Sequence, residues 1–169
     1  VARGKLFTMP NWEQAVTQHG ERDGVRYRLA RFLQDGKQLV CVSDAGGEEK
    51  LERHPLKAPL VGTPTVRRYE DVEIGRPDEI HPSPTKNHIV VTNHRFELVW
   101  VDLKSGDSKI LDTSEYGHIN GVAWSPDGRW IAYGFPDSAR TTHLKIVRVK
   151  TGETTDLTQP VHVDSDPCF

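Results

Sequence analysis

Residues 122–134 have the sequence VAWSPDGRWIAYG, in which an apolar triplet is followed by a Ser-Pro-Asp-Gly turn and then by an alternating apolar segment. Proline at the second turn position presets φ, and glycine at the fourth position tolerates a positive φ. Two extended segments joined by such a turn form a β-hairpin. The stretch therefore predicts a pair of antiparallel strands.

The same hairpin unit recurs twice upstream. Residues 30–43 have the sequence ARFLQDGKQLVCVS, and residues 80–92 have the degenerate form IHPSPTKNHIVVT. With the turns aligned, at intervals of 50 and 42 residues, two positions of the second strand coincide in all three units: Leu39, Ile89 and Ile131 at the first, and Cys41, Val91 and Tyr133 at the second. Positions two apart in a strand share a face, so each unit is predicted to present both positions to one side of its sheet.

A second hairpin completes each unit. In the second unit its strands are residues 98–103 and 109–111, joined by a turn at residues 104–106. In the third unit its strands are residues 144–149 and 155–157, joined by a turn at residues 150–152. In the first unit the turn is Asp44-Ala45-Gly46-Gly47 and the strand is residues 50–52. Four short strands in each repeat of this length are typical of a propeller blade.

The repeat predicts an all-β fold for residues 1–169: a partial β-propeller of about three four-stranded antiparallel blades plus the start of a fourth. The blades are expected at roughly residues 24–54, 72–113 and 118–158, and the fourth from about residue 164. Residues 55–77 contain four prolines and are expected to form a long connection with a strand-like segment at residues 72–74. The polar residues 11–23 indicate no particular structure.

Composition is ordinary for a folded globular protein, with 36% hydrophobic residues, 27% charged residues and a net charge of −2. This balance gives no reason to expect a nucleic acid or an anionic membrane as a partner. No apolar run is long enough to span a bilayer, and no signal peptide is visible. Cys41 and Cys168 lack a C-x-x-C spacing, so Cys41 is expected to be a reduced core residue, which favours a cytoplasmic protein. Val1 and the final segment are expected to be internal to a longer chain.

The sequence offers several residue types that occur in catalytic and metal sites. Ser125 and Asp127 with a histidine suggest a Ser-His-Asp site, but Ser125 lies in a repeated turn with a counterpart at Ser83, which favours a structural role. Five histidines have no metal-ligand spacing, although a zinc site assembled from separate blades stays open: His81, His88, His94, His118 and His143. The glycines of residues 44–47 lack the Lys-Ser/Thr of a phosphate loop. We expect no catalytic, cofactor-binding or metal-binding residues in this chain.

Two groups of arginines are the candidate ligand contacts. Arg26 and Arg28 alternate on one strand face, and Arg67-Arg68 lie in the expected connection. Guanidinium groups would suit the C-terminal carboxylate of a passing peptide. The simpler interpretation is a solvated strand face whose arginines pair with nearby Asp and Glu side chains.

Three longer stretches, with the Ser-Pro-Asp-Gly hairpin, resemble the propellers of the tricorn peptidase family: GVRYRLARF at 24–32, SDAGGEE at 43–49 and SEYGHINGVAWSPDGRWIAY at 114–133. The turn motif alone is shared with TolB and with prolyl-oligopeptidase-type enzymes. The resemblance implies the opening blades of a seven-bladed propeller. Two departures are the Pro84-Thr85-Lys86-Asn87 turn and a blade number too small to close a ring.

The resemblance also implies a function. The propellers of this family shape the routes to a buried serine-peptidase site, whose catalytic residues lie in C-terminal domains that have no counterpart in this chain. The resemblance implies that this segment is non-catalytic and acts on short peptides together with the remaining blades and the catalytic domains. It also implies a cytoplasmic homo-oligomer, which is a hexamer in the family. The alternative is a TolB-like or generic propeller that binds a protein partner.

Overall fold

The computed structural model describes residues 1–9, 11–12, 15–21, 23–56 and 65–169. Within these residues the secondary structure is entirely β, and no helix is present that is long and apolar enough to cross a membrane. The chain divides into two compact units, Val1–Val72 and Glu73–Phe169, each with its own sheets.

The first unit contains a two-stranded sheet and one four-stranded blade. Strands β1 (Leu6–Thr8) and β2 (Thr17–His19) pair antiparallel, and the blade consists, in spatial order, of β3 (Tyr27–Phe32), β4 (Gln38–Ser43), β5 (Lys50–Pro55) and β6 (Arg67–Tyr69). Leu6 of the small sheet packs with Tyr27, Leu39 and Cys41 of the blade. The apolar face expected of β4 therefore forms the core of this unit.

The second unit contains two four-stranded antiparallel blades. One is made, in spatial order, of β7 (Pro77–Pro82), β8 (His88–Asn93), β9 (Glu97–Asp102) and β10 (Ser108–Thr113); the other is made of β11 (Asn120–Trp124), β12 (Trp130–Pro136), β13 (Thr142–Arg148) and β14 (Thr154–Asp156). Val90 and Leu98 of the second blade, β7–β10, pack with Ile131, Tyr133 and Val147 of the third blade, β11–β14. The two blades share one apolar core.

The register confirms the alignment that the turns predict. The residues that close the first hairpin of each blade are the pairs Phe32 and Leu39, Pro82 and Ile89, and Trp124 and Ile131. All three second-strand partners are 0–2% exposed. The expected all-β, partial-propeller architecture of four-stranded antiparallel blades is therefore confirmed.

The region between the first two blades differs from expectation. Residues 57–64 of the expected connection, 55–77, lie outside the described residues, but within its remainder Arg67–Tyr69 form β6, the fourth strand of the first blade. The expectation of a strand at residues 72–74 was wrong, since these residues lie outside any strand, although Val72 and Ile74 are buried. The polar residues 11–23 contribute strand β2. The predicted blade limits and the fourth blade from about residue 164 stay predictions.

Candidate functional site

Ser125 has the hydrogen bonds of a turn residue. Its hydroxyl donates to Asp127 Oδ1 at 2.6 Å and accepts from the backbone N–H of Trp130 at 2.9 Å. Arg129 donates to Asp127 from both its backbone N–H and its side chain. These bonds hold the pKa of Asp127 down at about 2. The hydroxyl therefore holds the turn closed, as the repeat predicts.

Arg26 and Arg28 converge on one carboxylate. The Arg28 guanidinium donates from Nε and Nη2 to the two oxygens of Glu49, at 2.8 and 2.6 Å. Arg26 Nη2 reaches the same carboxylate at 3.2 Å, and Arg26 Nε lies 3.7 Å from Asp44. This geometry is the paired strand face of the simpler interpretation, in its bidentate form.

Arg67 and Arg68 lie on the opposite edge of the same blade. Arg68 Nη1 donates to Glu52 at 3.0 Å and its Nε pairs with Glu70 at 2.7 Å, while the Arg67 guanidinium lies 4.9 Å from the centre of the Tyr69 ring. Strands β3 and β6 are separated by three strand spacings, about 14 Å in total. The Arg68 guanidinium nevertheless donates to the backbone carbonyl of Glu48 at 3.1 Å, beside the Glu49 that Arg26 and Arg28 bind. Contact of the four arginines with a peptide stays a prediction.

A buried polar cluster lies in the first blade. Cys41, Glu52 and His54 each offer a metal-ligating atom, and these atoms all lie within 4.8 Å of one another. The three residues are 0%, 5% and 2% exposed. A thiol, a carboxylate and an imidazole form a donor set that zinc accepts, so the cluster is a candidate metal centre by composition.

The electrostatics of the cluster favour a hydrogen-bonded network. His54 Nε2 donates to Glu52 at 2.9 Å, and Arg68 occupies the other carboxylate oxygen. Burial acts to raise the pKa of Glu52, but hydrogen bonds from His54, Ser43 and Arg68 outweigh it and lower that pKa. Burial raises the pKa of the Cys41 thiol far above its ordinary value, so the thiol is protonated at neutral pH. A metal would have to displace Arg68 and deprotonate Cys41, so the residues do not fit a metal in this arrangement.

Sequence analysis missed this cluster because its members meet across strands. Cys41 is the register partner of Glu52, and Leu39 is the partner of His54. The corresponding partners in the second blade are Val99 and Val101. Two polar residues alternating at positions where another blade has valine are the pattern that would have revealed the cluster.

The first strands of the second and third blades form a polar edge. Strands β7 and β11 lie in contact, and a cleft of about 290 Å³ between them is lined by Glu79, His81, Gly121 and Asp166 among others. His81 Nε2 lies 2.8 Å from Glu79. His118 Nδ1 lies 2.9 Å from Asp78. The charged groups of this inner edge, defined as Asp78, Glu79, His81 and His118, are partly exposed.

The other histidines lie apart from the inner edge. His94 accepts a hydrogen bond from the backbone N–H of Arg76, His88 lies 3.7 Å from Asp102, and His143 lies 3.2 Å from Asp156. Among the described residues, none of the five candidate histidines belongs to a cluster with metal-ligand geometry. Each has a local partner in its own blade or the adjoining one.

Comparison with known sequences connects this architecture to one family. The family model described as the tricorn protease second β-propeller domain matches residues 1–169. A tricorn-like protease C-terminal subunit from Sulfurisphaera tokodaii is 30% identical over the full chain, which spans 18% of that protein. A tricorn protease homolog from Saccharolobus solfataricus is 28% identical over the full chain, which spans 15% of it. The chain thus spans less than a fifth of the length of these relatives.

Comparison with solved structures gives the same architecture. The crystal structure of the tricorn protease matches with a TM-score of 0.83 at 20% identity, over 98% of this chain and 16% of that one. The structure of TolB from Acinetobacter baumannii matches with a TM-score of 0.65 at 19% identity, over 91% of this chain and 37% of that one. At these identities both likenesses concern the fold alone.

Proposed function

The chain belongs to the tricorn protease family, as its second β-propeller domain, and from this we propose that it shapes the path of short peptides to a serine-peptidase site located elsewhere in the whole protein. The observation that carries the proposal is the family match over all of residues 1–169. A TolB-like binding module is the weaker candidate, because the TolB likeness concerns the fold alone.

The described residues support a non-catalytic role for the segment. Nucleophilic catalysis needs a hydroxyl or thiol within reach of a base and an oxyanion hole. The Ser125 hydroxyl is engaged within its own turn, and Cys41 is buried and protonated. The chemistry is therefore assigned to other domains of the parent protein.

The inner edge supports a role in guiding peptides. Propeller blades surround a central channel. Strands β7 and β11 are in contact, and at their edge β7 carries Asp78, Glu79 and His81 while the segment before β11 carries His118, groups that accept and donate hydrogen bonds. Such groups bind an extended peptide through its backbone amides. We also propose peptide contacts for Arg28 on β3 and for Arg26 just before it, and for Arg67 and Arg68 on β6.

The assembly and location belong to the same proposal. The whole protein is proposed to be a cytoplasmic homo-oligomer in which this domain acts with the remaining blades and the catalytic domains. Support for the other domains comes from the relatives, of which this chain spans less than a fifth, and the free state of both cysteines suits a reducing compartment. No nucleic acid or membrane partner is proposed.

The proposal is tested by locating the nucleophile in the full-length protein. A fluorophosphonate reagent, which reacts with activated serines, is added to full-length protein that degrades a short peptide, and the adduct is mapped by mass spectrometry. We expect loss of peptidase activity with an adduct outside residues 1–169. An adduct on Ser125, or full-length protein without peptidase activity, contradicts the proposal.

A further inference from the structure

A cavity of about 420 Å³ opens between the two blades of the second unit, at the end where their hairpin turns lie. It is lined from the second blade by the β7–β8 turn and strands β8, β9 and β10, and from the third blade by the β11–β12 turn and the end of β13. Strands β7 and β11 contribute nothing to it, so the cavity is separate from the inner edge. Its volume falls within the range of ligand pockets, about 300–1,000 Å³.

The lining is cationic, with five positively charged side chains and no carboxylate: Lys86, Lys109, Arg129, Arg148 and Lys150. Arg129 is paired with Asp127, and Lys109 donates to the backbone carbonyl of Val149 at 2.5 Å. Among the described residues, the other three have no carboxylate within ion-pair distance. Lys86, Arg148 and Lys150 therefore give the cavity a net positive charge beyond the neutralised Arg129–Asp127 pair.

Trp100 supplies an aromatic wall to the cavity. It lines the cavity, and its indole Nε1–H is buried without a hydrogen-bond partner among the described residues. His88 packs edge-on against the same ring, at 4.8 Å between centroids. Burial lowers the pKa of His88; Asp102 acts to raise this pKa and Lys86 acts to lower it. Because the net shift is downward, His88 adds little charge at neutral pH.

We propose that this cavity binds acidic peptides, with their carboxylates held by Lys86, Arg148 and Lys150 and an aliphatic side chain packed against the Trp100 ring. The cavity is larger than one inorganic anion needs and has an aromatic wall for an aliphatic side chain. The site is distinct from the proposed channel and does not depend on it.

Binding is measured on the full-length protein by fluorescence anisotropy, with a labelled hexapeptide rich in Glu and the matching peptide in which Gln replaces Glu. We expect saturable binding of the Glu peptide that weakens with salt and no saturable binding of the Gln peptide. The double variant Arg148→Gln/Lys150→Gln is expected to bind about tenfold more weakly, by loss of two charge-assisted contacts.

Arg140→Gln is the matched control, because Arg140 is exposed in the β12–β13 connection at the opposite end of the third blade. It is expected to leave the affinity unchanged. The proposal is overturned if the Glu peptide does not bind, if the double variant binds it as well as the unmodified protein, or if Arg140→Gln weakens binding equally. Tripolyphosphate that displaces the peptide at lower concentration than unlabelled Glu peptide would make this a phosphate site and would also overturn it.

Discussion

Leu29 on β3 and Gly121 on β11 occupy the same position in the bulges of their first strands, with φ angles of 55° and 59°. Each follows the pair that precedes the bulge, Arg28 with Val42 in one blade and Asn120 with Gly134 in the other. A positive φ is unfavourable for leucine and easily adopted by glycine. Strand pairing in the first blade therefore imposes a positive φ on Leu29, although leucine does not favour that conformation.

Replacing Gly121 by alanine is expected to destabilise the third blade strongly. A Cβ at this position would lie 2.6 Å from the backbone nitrogen of Asp166 and adopt an unfavourable φ. We expect the opening free energy of β11 to fall by about 1–2 kcal/mol from the positive φ and by about a further 1–3 kcal/mol from the backbone contact. Hydrogen exchange of β11 in the full-length protein measures this loss.

Gly152→Ala is the control for that measurement. Gly152 also has a positive φ, 78°, but a Cβ added there would have no neighbouring atom within 4 Å. Only the φ cost of about 1–2 kcal/mol is expected at the β13–β14 turn. Equal losses for the two variants would show that the contact with Asp166 contributes nothing.

Replacing Glu52 by glutamine is expected to weaken the first blade. The carboxylate accepts from both His54 and Arg68 inside the blade, and a neutral amide removes the buried one of the two charge partners of Arg68. We expect the opening free energy of β4 and β5 to fall by about 1–3 kcal/mol, measured by hydrogen exchange.

Glu70→Gln is the matched control, since Glu70 pairs with the same Arg68 at 2.7 Å but its side chain is 64% exposed. An exposed pair contributes about 0–1 kcal/mol. A loss at Glu70 as large as that at Glu52 would contradict the assignment of the stability to the buried cluster.

The same carboxylate predicts an acid-sensitive first blade. The folded pKa of Glu52 is lowered, so its stabilising contribution is present above the unfolded pKa of about 4.3 and is lost as the pH falls through the lower folded value. Hydrogen exchange of β5, corrected for intrinsic rates, should show opening that increases over this window. The pH dependence of β5 opening should be smaller in Glu52→Gln. An unchanged pH profile in that variant would contradict the prediction.

The two cysteines are expected to differ sharply in reactivity. Cys41 is fully buried and burial raises the pKa of its thiol, whereas Cys168 is exposed. Because the thiolate is the reactive form, iodoacetamide should alkylate Cys168 in the folded protein and Cys41 only after denaturation. Mass spectrometry of the two peptides checks this, and rapid alkylation of Cys41 in the folded state would refute it.

Sequence alone predicted the hairpins because proline and glycine define their turns, and the pairs Phe32–Leu39 and Trp124–Ile131 follow from the turn positions. Strand β6 was missed because Arg67-Arg68-Tyr69 has no apolar alternation; it is held by pairing with β5 and by the contact of Arg68 with Glu52. The cationic cavity was missed for a related reason. Its charges come from turns and strands of two blades, and only the packing of those blades brings them together.

The most direct test of the central proposal, that peptides pass along the inner edge, is a steric block in the full-length protein. Glu79→Trp places a bulky ring at the β7–β11 cleft, and Lys104→Trp places the same ring on the exposed β9–β10 turn. We measure kcat/KM for an eight-residue peptide and for a single-residue chromogenic reporter. The account predicts that Glu79→Trp lowers the value for the long peptide relative to the reporter and that Lys104→Trp does not. Unchanged hydrolysis of the long peptide by a folded Glu79→Trp protein would contradict it.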